Sequence, residues 1–329
     1  MTDASHPTLV CPLCKAPLRD ARCTICGSRF SHENGIYDFV QGNYYDVFDA
    51  GATLPQEHLR GLALEVQGAE TRARYYERLL RGRFGSDTGI RVLDCGCGNG
   101  LVVQHLHAAG LDAWGNDNSA LRKWQWYERS LPDRLVVADG RTLPFQDSYF
   151  DAVICSGVLE HIGVDELGGD TYSVSARPTR DEERKTFVAE LLRVTRSGGA
   201  IYLDFPNGSF PIDFWHGVRP GGARFHSQSE GFLPTRKSVV QLFGQLHAAV
   251  RIRTVSPRGR LAFRQISTRP IGRLLAPFGR FLFWLLDTAA GNLLLPTPIN
   301  PYLVLEVDVN RRQDGFPAAR DVMITASSP

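Results

Sequence analysis

The segment that most constrains the fold is a short apolar run that ends in an acid and continues into glycines, IRVLDCGCGNG at residues 90–100. A brief β-branched and apolar run that is stopped by glycines predicts a buried strand of a parallel sheet. Glycines remove side chains where the backbone must turn sharply and where a ligand must lie close to it. Because Leu101–Ala109 then resumes helical spacing, the segment predicts a strand, a ligand-binding turn and a helix.

Further strands and helices alternate along the chain. Short apolar runs predict strands at Ala113–Asp117, Leu135–Ala138, Phe150–Cys155, Ala200–Phe205, Val250–Val255 and Tyr302–Val309. Helical spacing predicts helices at Leu62–Phe84, Ser119–Ser130 and Glu182–Thr195. This alternation predicts an α/β fold with a Rossmann-like, doubly wound sheet of seven strands, whose ligands bind at the carboxyl ends of the strands.

Four of the seven cysteines lie near the start of the chain in two CxxC pairs. They are Cys11, Cys14, Cys23 and Cys26. Each pair offers two thiolates, and four thiolates satisfy a tetrahedral structural Zn²⁺ that keeps no open position for catalysis. The pattern therefore predicts a zinc-binding folding element, whereas Cys95, Cys97 and Cys155 are predicted to be small core residues.

The sequence around the two cysteine pairs resembles a known zinc-binding domain. LVCPLCKAPL, CTICGSRF and ENGIYDFV, within residues 9–40, resemble the zinc ribbon of the small activator subunit that serves several RNA and protein methyltransferases. In this resemblance, the IYDFV run is the strand that closes the ribbon.

The spacing in the glycine-rich turn separates two classes of nucleotide site. The dinucleotide fingerprint requires a small residue where the helix meets the sheet, and this chain has Leu101 there. VLDCGCGNG instead resembles motif I of the class I S-adenosylmethionine-dependent methyltransferases. AWGNDNS, VVADGRTLPFQDSYFDAV, CSGVLEHI and LLRVTRSGGAIYLDFPN resemble later motifs of the type 11 subgroup, which includes the quinone-biosynthesis methyltransferases. The resemblance implies that S-adenosyl-L-methionine is the cofactor.

The same resemblance implies roles for acids at successive strand ends. It places Asp117 on the ribose hydroxyls and Asp139 on the adenine amino group, and carboxylates accept hydrogen bonds from both kinds of donor. The predicted cofactor-binding residues are Asp94, Gly96, Cys97, Gly98, Gly100, Asp117, Asn118, Asp139, Gly140 and Ser156.

Three histidines are the candidate catalytic residues. A base is needed only where the methyl acceptor is a hydroxyl or another protonated nucleophile. His161 follows the fourth predicted strand, and His216 and His226 lie in the aromatic segment after the fifth. Glu160 and His161 have the alternative role of stabilising the start of a helix or loop, and the aromatic side chains have that of packing a long loop.

These patterns divide the chain into three parts. We expect residues 1–42 to form a zinc ribbon, residues 43–88 a linker and lid helix, and residues 89–329 a class I methyltransferase domain. Insertions at 205–235 and 256–300 are predicted to bind the acceptor. We expect the arginines of the lid helix to lie on a solvated face: Arg72, Arg74, Arg78, Arg81 and Arg83.

An apolar helical stripe at residues 271–295 lies beside a region that is rich in arginine. No acidic residue occurs between Glu230 and Asp287. Arg280, Asp287 and Asn292 interrupt the stripe, so its apolar stretch is shorter than the ~20 residues that span a bilayer. Peripheral contact with an anionic membrane is one hypothesis, and burial against the sheet or at a dimer interface is the other. The N-terminus has no secretory signal pattern, which predicts a cytoplasmic protein, with a position at the inner membrane surface as the corresponding hypothesis.

The sequence leaves three functions open. The first is an S-adenosylmethionine-dependent methyltransferase that acts on a small-molecule or lipid-linked acceptor at a hydroxyl. The second is a ribosomal or transfer RNA methyltransferase, which the zinc ribbon and the arginines suggest, although the net charge of only +2 makes nucleic acid the less favoured partner. The third is a non-catalytic binding subunit with a methyltransferase fold. The oligomeric state is not predicted.

Overall fold

The structure is a computed structural model that describes residues 7–42, 44–48, 56–85, 89–167, 172–217, 223–261 and 270–310. Parts of the predicted linker, of the two acceptor-binding insertions and of the C-terminal end of the predicted domain lie outside the described residues. The described helices are α1 Gln56–Phe84, α2 Leu101–Ala108, α3 Ala120–Trp126, α4 Arg180–Val194, α5 Arg236–Gln245 and α6 Pro270–Leu286.

One sheet of nine strands forms the centre of the fold. The strands are β1 Ser31–Glu33, β2 Ile36–Asp38, β3 Arg91–Cys95, β4 Asp112–Asp117, β5 Leu135–Val137, β6 Phe150–Ser156, β7 Thr195–Pro206, β8 Val250–Val255 and β9 Tyr302–Val309. Their order across the sheet is β8-β9-β7-β6-β3-β4-β5-β2-β1. β9 runs antiparallel to β7 and β8, whereas β3 pairs in parallel with both β4 and β6.

The strand order reverses at β3. β4 and β5 follow on one side of it, and β6 and β7 follow on the other. In doubly wound sheets, ligands bind outside the carboxyl ends of the strands at such a switch point. The topology therefore places the glycine-rich turn, which directly follows β3, at the expected ligand-binding edge.

Helices cover both faces of the sheet, which confirms the doubly wound α/β fold. Buried side chains of α1, α2 and α6, such as Tyr75, Val103 and Phe283, belong to one apolar cluster. Those of α4 and α5, such as Phe187 and Phe243, belong to the other. Among the described residues, no helix combines the length and the apolar character that crossing a membrane requires.

All seven predicted strands are present, but the sheet is longer than predicted. The N-terminal segment adds β1 and β2, and β2 pairs in parallel with β5 through Tyr37 with Val136 and Asp38 with Val137. The strand that was predicted to close a ribbon thus also extends the central sheet. An unpaired edge strand exposes backbone donors and acceptors, and β2 satisfies those of β5.

Other contacts tie the N-terminal segment to the rest of the fold. Lys15 Nζ lies 2.8 Å from a carboxylate oxygen of Glu190 in α4, and Lys123 Nζ of α3 lies 2.7 Å from Asp38. Val10 N–H donates to the carbonyl oxygen of Pro144 at 2.9 Å. Residues 7–42 therefore contact the central sheet and its helices at several points.

The prediction that the α1 arginines lie on a solvated face is wrong for part of the set. Arg83 Nη1 pairs with Glu306 at 3.1 Å and with Asp308 at 2.5 Å on β9. Arg72 lines the cavity described below. Helical spacing alone does not predict these contacts. They arise because α1 packs on the sheet, which brings one edge of its polar side to β9 and to the cavity.

Three short hairpins and four 3-10 helices complete the described structure. The hairpins pair Leu18–Arg19 with Arg22–Cys23, Val164–Leu167 with Ser173–Ala176, and Ile212–Asp213 with Arg224–Phe225. The 3-10 helices are Pro132–Arg134, Leu159–His161, Gln228–Glu230 and Gly291–Leu294. The helix predicted to reach Ser130 ends at Trp126, shortly before Pro132.

Candidate functional site

The glycine-rich turn and the predicted acceptor segment line one large cavity. The cavity has a volume of about 1880 Å³. Its lining also includes residues of the segment 44–46 and of α1 and α6. A cleft of this size at the switch point of a doubly wound sheet can hold a nucleotide-sized ligand together with a second molecule.

The backbone of the turn takes a conformation that requires glycine. Gly96 and Gly98 have φ values of +82° and +56°, a region that side chains disfavour. A Cβ atom on Gly96 would lie 2.2 Å from a methyl carbon of Val158. Gly98 N–H donates to Asp117 at 2.9 Å, and Trp126 Nε1 donates to the Gly98 carbonyl at 2.9 Å. The two bonds fix the turn against β4 and α3.

Acids at three successive strand ends border the cavity, as predicted. Burial raises the pKa of Asp94 to about 7, partly offset by the charge of Arg72. Burial also raises the pKa of Asp117. Asp139 accepts hydrogen bonds from Arg141 Nε at 3.0 Å and Nη2 at 2.6 Å. Asp117 and Asp94 are therefore desolvated acids, whereas Asp139 already has a cationic partner.

The raised pKa of Asp94 gives a pH-dependent stability that can be measured. Between about pH 4 and pH 7 the unfolded chain loses this proton while the folded chain keeps it, so stability falls as pH rises, by roughly 1.4 kcal/mol per unit. Replacement by Asn removes this loss. We expect the free energy of unfolding of Asp94→Asn, relative to wild type, to increase from pH 5 to pH 8 in urea titrations.

A second substitution supplies the control for this prediction. Arg91 and Arg196 outweigh the effect of burial on Asp151 and lower its pKa. An acid with a lowered pKa stabilises the fold above its unfolded pKa and loses that effect as pH falls. Asp151→Asn should therefore not show the Asp94→Asn trend between pH 5 and pH 8, and a flat profile for Asp94→Asn would contradict the prediction.

The cavity lining contains all but one of the predicted cofactor-binding residues. These are Asp94, Gly96, Cys97, Gly98, Asp117, Asn118, Asp139, Gly140 and Ser156. Gly100, at the start of α2, is not among the lining residues described. A Cβ atom there would lie 2.9 Å from Leu135 and 3.3 Å from Trp126, so Gly100 allows close packing behind the turn.

Five buried polar atoms in the lining residues have no hydrogen-bond partner within the described part of the chain: Arg72 Nε, Asn116 Oδ1, Asn118 Oδ1, Glu160 Oε2 and Arg177 Nε. Among them, Asn118 Oδ1 is an acceptor and Arg72 Nε is a donor. Unpaired buried polar atoms are uncommon in folded proteins. The site thus offers an unused acceptor, an unused donor and desolvated carboxylates, a set that fits a polar ligand carrying hydroxyl groups and a carboxylate.

The structure brings together two of the three candidate catalytic histidines. The ring centroids of His161 and His216 are 5.2 Å apart. His161 Nδ1 pairs with Glu166, and His216 Nδ1 lies 3.0 Å from Asp213 Oδ2. Burial by itself would lower the pKa of His161, but the hydrogen bond to Glu166 and the charge of Glu160 outweigh it and raise the pKa. Both rings are oriented through Nδ1, which leaves Nε2 for a ligand.

The third candidate, His226, does not join this pair. Its Nε2 lies 2.6 Å from the carbonyl oxygen of Phe210. His226 is not among the described residues that line the cavity. Nothing in the sequence distinguishes it from His216, because the fold of the loop decides which ring is turned inward.

Sequence reasoning missed a buried polar cluster centred on Asp204, near the end of β7. Arg260 Nε and Nη2 donate to its two oxygens at 2.6 and 3.0 Å. Tyr302 donates at 2.5 Å, Tyr76 donates to the other oxygen, and Arg260 also donates to Ser156. The signal for Asp204 was available, since it is an acid at a strand end. Arg260 had no such signal, because its partner lies 56 positions away.

Three arginines of the acid-free region are paired with carboxylates from other segments. The pairs are Arg253 with Glu306 at 2.7 Å, Arg258 with Asp287 at 2.9 Å and Arg260 with Asp204 at 2.6 Å. Counting charges along this part of the sequence therefore overestimates the positive charge of the surface that these residues form. Arg264 and Arg269, which contributed to that prediction, lie outside the described residues.

Helix α6 has apolar side chains on more than one side. Phe283 and Leu286 are buried, whereas Phe278 is 68% and Trp284 48% exposed. Phe278 also lines the cavity, together with Leu282. The helix thus extends from the cavity to an exposed apolar surface. Of the predicted apolar stripe, only some side chains are buried against the rest of the protein.

The four N-terminal cysteines form one cluster. Their sulfur atoms all lie within 4.8 Å of one another, with Cys11 and Cys26 3.7 Å apart and Cys14 and Cys23 3.3 Å apart. Four thiolates at the Zn–S distance of about 2.3 Å place neighbouring sulfurs about 3.8 Å apart in a tetrahedron. The donor set therefore fits Zn²⁺. The other three cysteines are buried core residues, as predicted.

Comparisons with known proteins agree with this arrangement. Residues 93–203 match the sequence model of a family described as "Methyltransferase domain". A demethylmenaquinone methyltransferase of Renibacterium salmoninarum is 32% identical over 139 residues, which cover 42% of this chain and 50% of that protein. An uncharacterized methyltransferase of Mycolicibacterium vanbaalenii is 27% identical over 186 residues, which cover 54% of this chain and 64% of that protein. The chain thus spans about half to two thirds of these relatives.

Among solved structures, phosphoethanolamine N-methyltransferase 2 of Haemonchus contortus, in complex with S-adenosyl-L-methionine, is similar at a TM-score of 0.40 and 15% identity. The match covers 80% of this chain and 62% of that one. Residues 93–203 are thus similar to a methyltransferase domain, and the sheet order with the glycine-rich turn after β3 is that of the Rossmann-like class I methyltransferase fold.

Proposed function

We propose that the protein is an S-adenosylmethionine-dependent methyltransferase that acts on a small-molecule or lipid-linked acceptor at a hydroxyl group. The observation that carries the proposal is that the acid-bordered glycine turn and the His161–His216 pair line the same cavity. When bound, S-adenosylmethionine supplies an already activated methyl group. The protein must then align the acceptor, exclude water and accommodate a proton.

Specific residues suit each part of this cofactor. Asp117 would accept hydrogen bonds from the ribose hydroxyls, and the adjacent Asn118 Oδ1 is a second acceptor. Asp139 would accept from the adenine amino group while it keeps its bonds to Arg141. Arg72, whose buried Nε has no partner within the described chain, is a suitable donor to the carboxylate of the methionyl group.

The acceptor end of the cavity suits an apolar molecule with a hydroxyl group. His161 and His216 are the candidate bases, because carboxylates orient both rings. Aromatic side chains, including Phe210 and Phe214, line the cavity beside them. Relatives named demethylmenaquinone methyltransferases support a small-molecule acceptor of quinone type. The paired arginines of residues 253–260 make the RNA methyltransferase hypothesis less favourable.

The exposed apolar side of α6 supports the lipid-linked version of this proposal. Leu274, Phe278, Phe281 and Trp284 are exposed and recur at intervals of three or four positions. Such a surface can lie in the interface of a membrane. An apolar tail could then pass from the bilayer along Phe278 into the cavity. Flotation with anionic liposomes at low salt should detect this contact, and a protein that remains entirely unbound would exclude it.

Methyl transfer from radiolabelled S-adenosylmethionine to fractions of a cell extract tests the proposed function. The fractions are water-soluble small molecules, organic-soluble lipids and purified RNA. We expect label in a small-molecule or lipid fraction and none with Asp117→Ala. Label in RNA alone would replace this proposal with the RNA methyltransferase. Absence of S-adenosylmethionine binding in calorimetry would favour the non-catalytic subunit.

A further inference from the structure

We propose that Glu160, His161 and His216 form a divalent metal site in the acceptor part of the cavity, one that takes a transition-metal ion such as Zn²⁺. This site is separate from the four-cysteine cluster at the N-terminus. It joins the 3-10 helix Leu159–His161, which follows β6, to the hairpin that begins at Ile212–Asp213.

The three side chains supply a compact donor set. One ligating atom from each lies within 4.8 Å of the others, and all three residues line the cavity. Donors around a tetrahedral Zn²⁺, at about 2.0–2.2 Å from the ion, lie about 3.4 Å apart, so the three donors would have to approach one another by about 1.4 Å at most. Two histidines and one carboxylate hold catalytic zinc and several other first-row ions while leaving positions open for water or substrate.

The surroundings of the two imidazoles match those of metal ligands. A histidine that ligates a metal usually donates its other ring nitrogen to a carboxylate, which fixes the ring and raises its basicity. Both rings have this partner, since Glu166 pairs with His161 Nδ1 and Asp213 lies 3.0 Å from His216 Nδ1. Tyr172 in turn donates to Glu166 at 2.6 Å. Both Nε2 atoms therefore remain for an ion.

The burial of Glu160 supports a metal site independently of the two histidines. The residue is only 1% exposed, and its Oε2 has no hydrogen-bond partner among the described residues. A buried carboxylate oxygen without a donor is costly unless a charge compensates it. A divalent ion between the three residues would supply the missing partner.

Hydrogen bonds and ring packing support the residues of this cluster. Arg184 of α4 is buried and donates to the carbonyl oxygens of Glu160 at 2.9 Å and of Phe232 at 2.7 Å. The Phe232 ring packs edge-on against His216, with ring centroids 4.8 Å apart. These contacts hold the backbone of Glu160 and one ring of the site in place before an ion binds. Preorganised ligands reduce the entropy lost on binding.

A metal at this position would act on the acceptor. A hydroxyl group that coordinates the ion has a lowered pKa and releases its proton to water, so neither imidazole has to accept it. This step rests on the proposed function, whereas the metal site itself does not. The ion would also select acceptors that present an oxygen ligand beside the apolar wall.

Zinc content after equilibrium dialysis against micromolar Zn²⁺ tests the site. We expect Glu160→Gln and His216→Gln each to contain one zinc ion per chain fewer than the wild type, whatever the cysteine cluster holds. His226→Gln is the matched control and should keep the wild-type content, since its ring nitrogen bonds to Phe210. Circular dichroism verifies that the variants are folded. If one of the two ligand variants does not fold, the other still tests the site.

Two further measurements separate the possible outcomes. Asp213→Asn, which weakens the partner of His216 without removing a ligand, should lower the zinc affinity of this site about 10- to 100-fold. Equal zinc content in the wild type and both ligand variants would overturn the metal site. Calorimetry with S-adenosylmethionine on the same samples is independent, because loss of the ion should leave cofactor binding intact. No cofactor binding by the wild type would overturn the proposed function and leave the zinc result standing.

Discussion

Replacement of Asp117 by Ala should lower the affinity for S-adenosylmethionine at least about 100-fold. Hydrogen bonds to a charged acceptor are each worth roughly 1.5–3 kcal/mol, and this carboxylate would accept from two ribose hydroxyls. The substitution also releases the glycine-rich turn, because Asp117 accepts the Gly98 N–H at 2.9 Å. Calorimetric titration with S-adenosylmethionine and with S-adenosylhomocysteine measures the loss for both ligands.

The opposite end of the same strand offers the control. Asp112 begins β4 and pairs with Arg134, outside the cavity lining. Asp112→Asn should change stability slightly and leave cofactor affinity unchanged. Asp117→Asn keeps an acceptor for Gly98 but loses the charge, so we expect an intermediate affinity. Wild-type affinity in Asp117→Ala would show that the cofactor pocket has been assigned to the wrong residues.

Replacement of Cys14 by Ser should remove the zinc ion of the N-terminal cluster and destabilise the whole fold. Cys14 is exposed, so the substitution costs little packing, but a structural zinc contributes on the order of 10 kcal/mol to its domain. The cluster is linked to the sheet through β2, whose residue Asp38 pairs with Val137. We therefore expect one zinc ion fewer per chain and a melting temperature that is lower by several degrees.

Amide hydrogen exchange shows how far this effect extends. Faster exchange should reach Leu135–Val137 in β5 and not stop at residues 7–42, because β5 loses its ordered neighbour. Leu13→Ser, an adjacent and 59% exposed position, should have neither effect. If exchange changes only before residue 31, the cysteine cluster folds independently of the sheet. In that case a chain that starts near Asn43 should keep its cofactor affinity.

The sequence by itself determined the parts of the protein that depend on neighbouring residues. β8 and β9 begin and end at the predicted residues. The alternating burial of β8 and the nearly continuous burial of β9 each give a local apolar signal in the sequence. The glycine turn is equally local, since positive φ values at Gly96 and Gly98 follow from the need for a sharp turn. The CxxC pairs are local as well. Acids at strand ends could be placed together because parallel strands bring their carboxyl ends to one edge.

Only the tertiary structure decided the features that join distant segments. Glu160 and His216 meet because a loop after β7 folds back over the end of β6. Arg260 reaches Asp204 across 56 positions, and β2 pairs with β5, although two other strands of the sheet lie between them in the sequence. No local sequence pattern predicts these long-range contacts, because they depend on how the helices, strands and loops pack together. The residues that line the glycine-rich end of the cavity were therefore predictable from short motifs, whereas the arrangement around His161 and His216 required the folded chain.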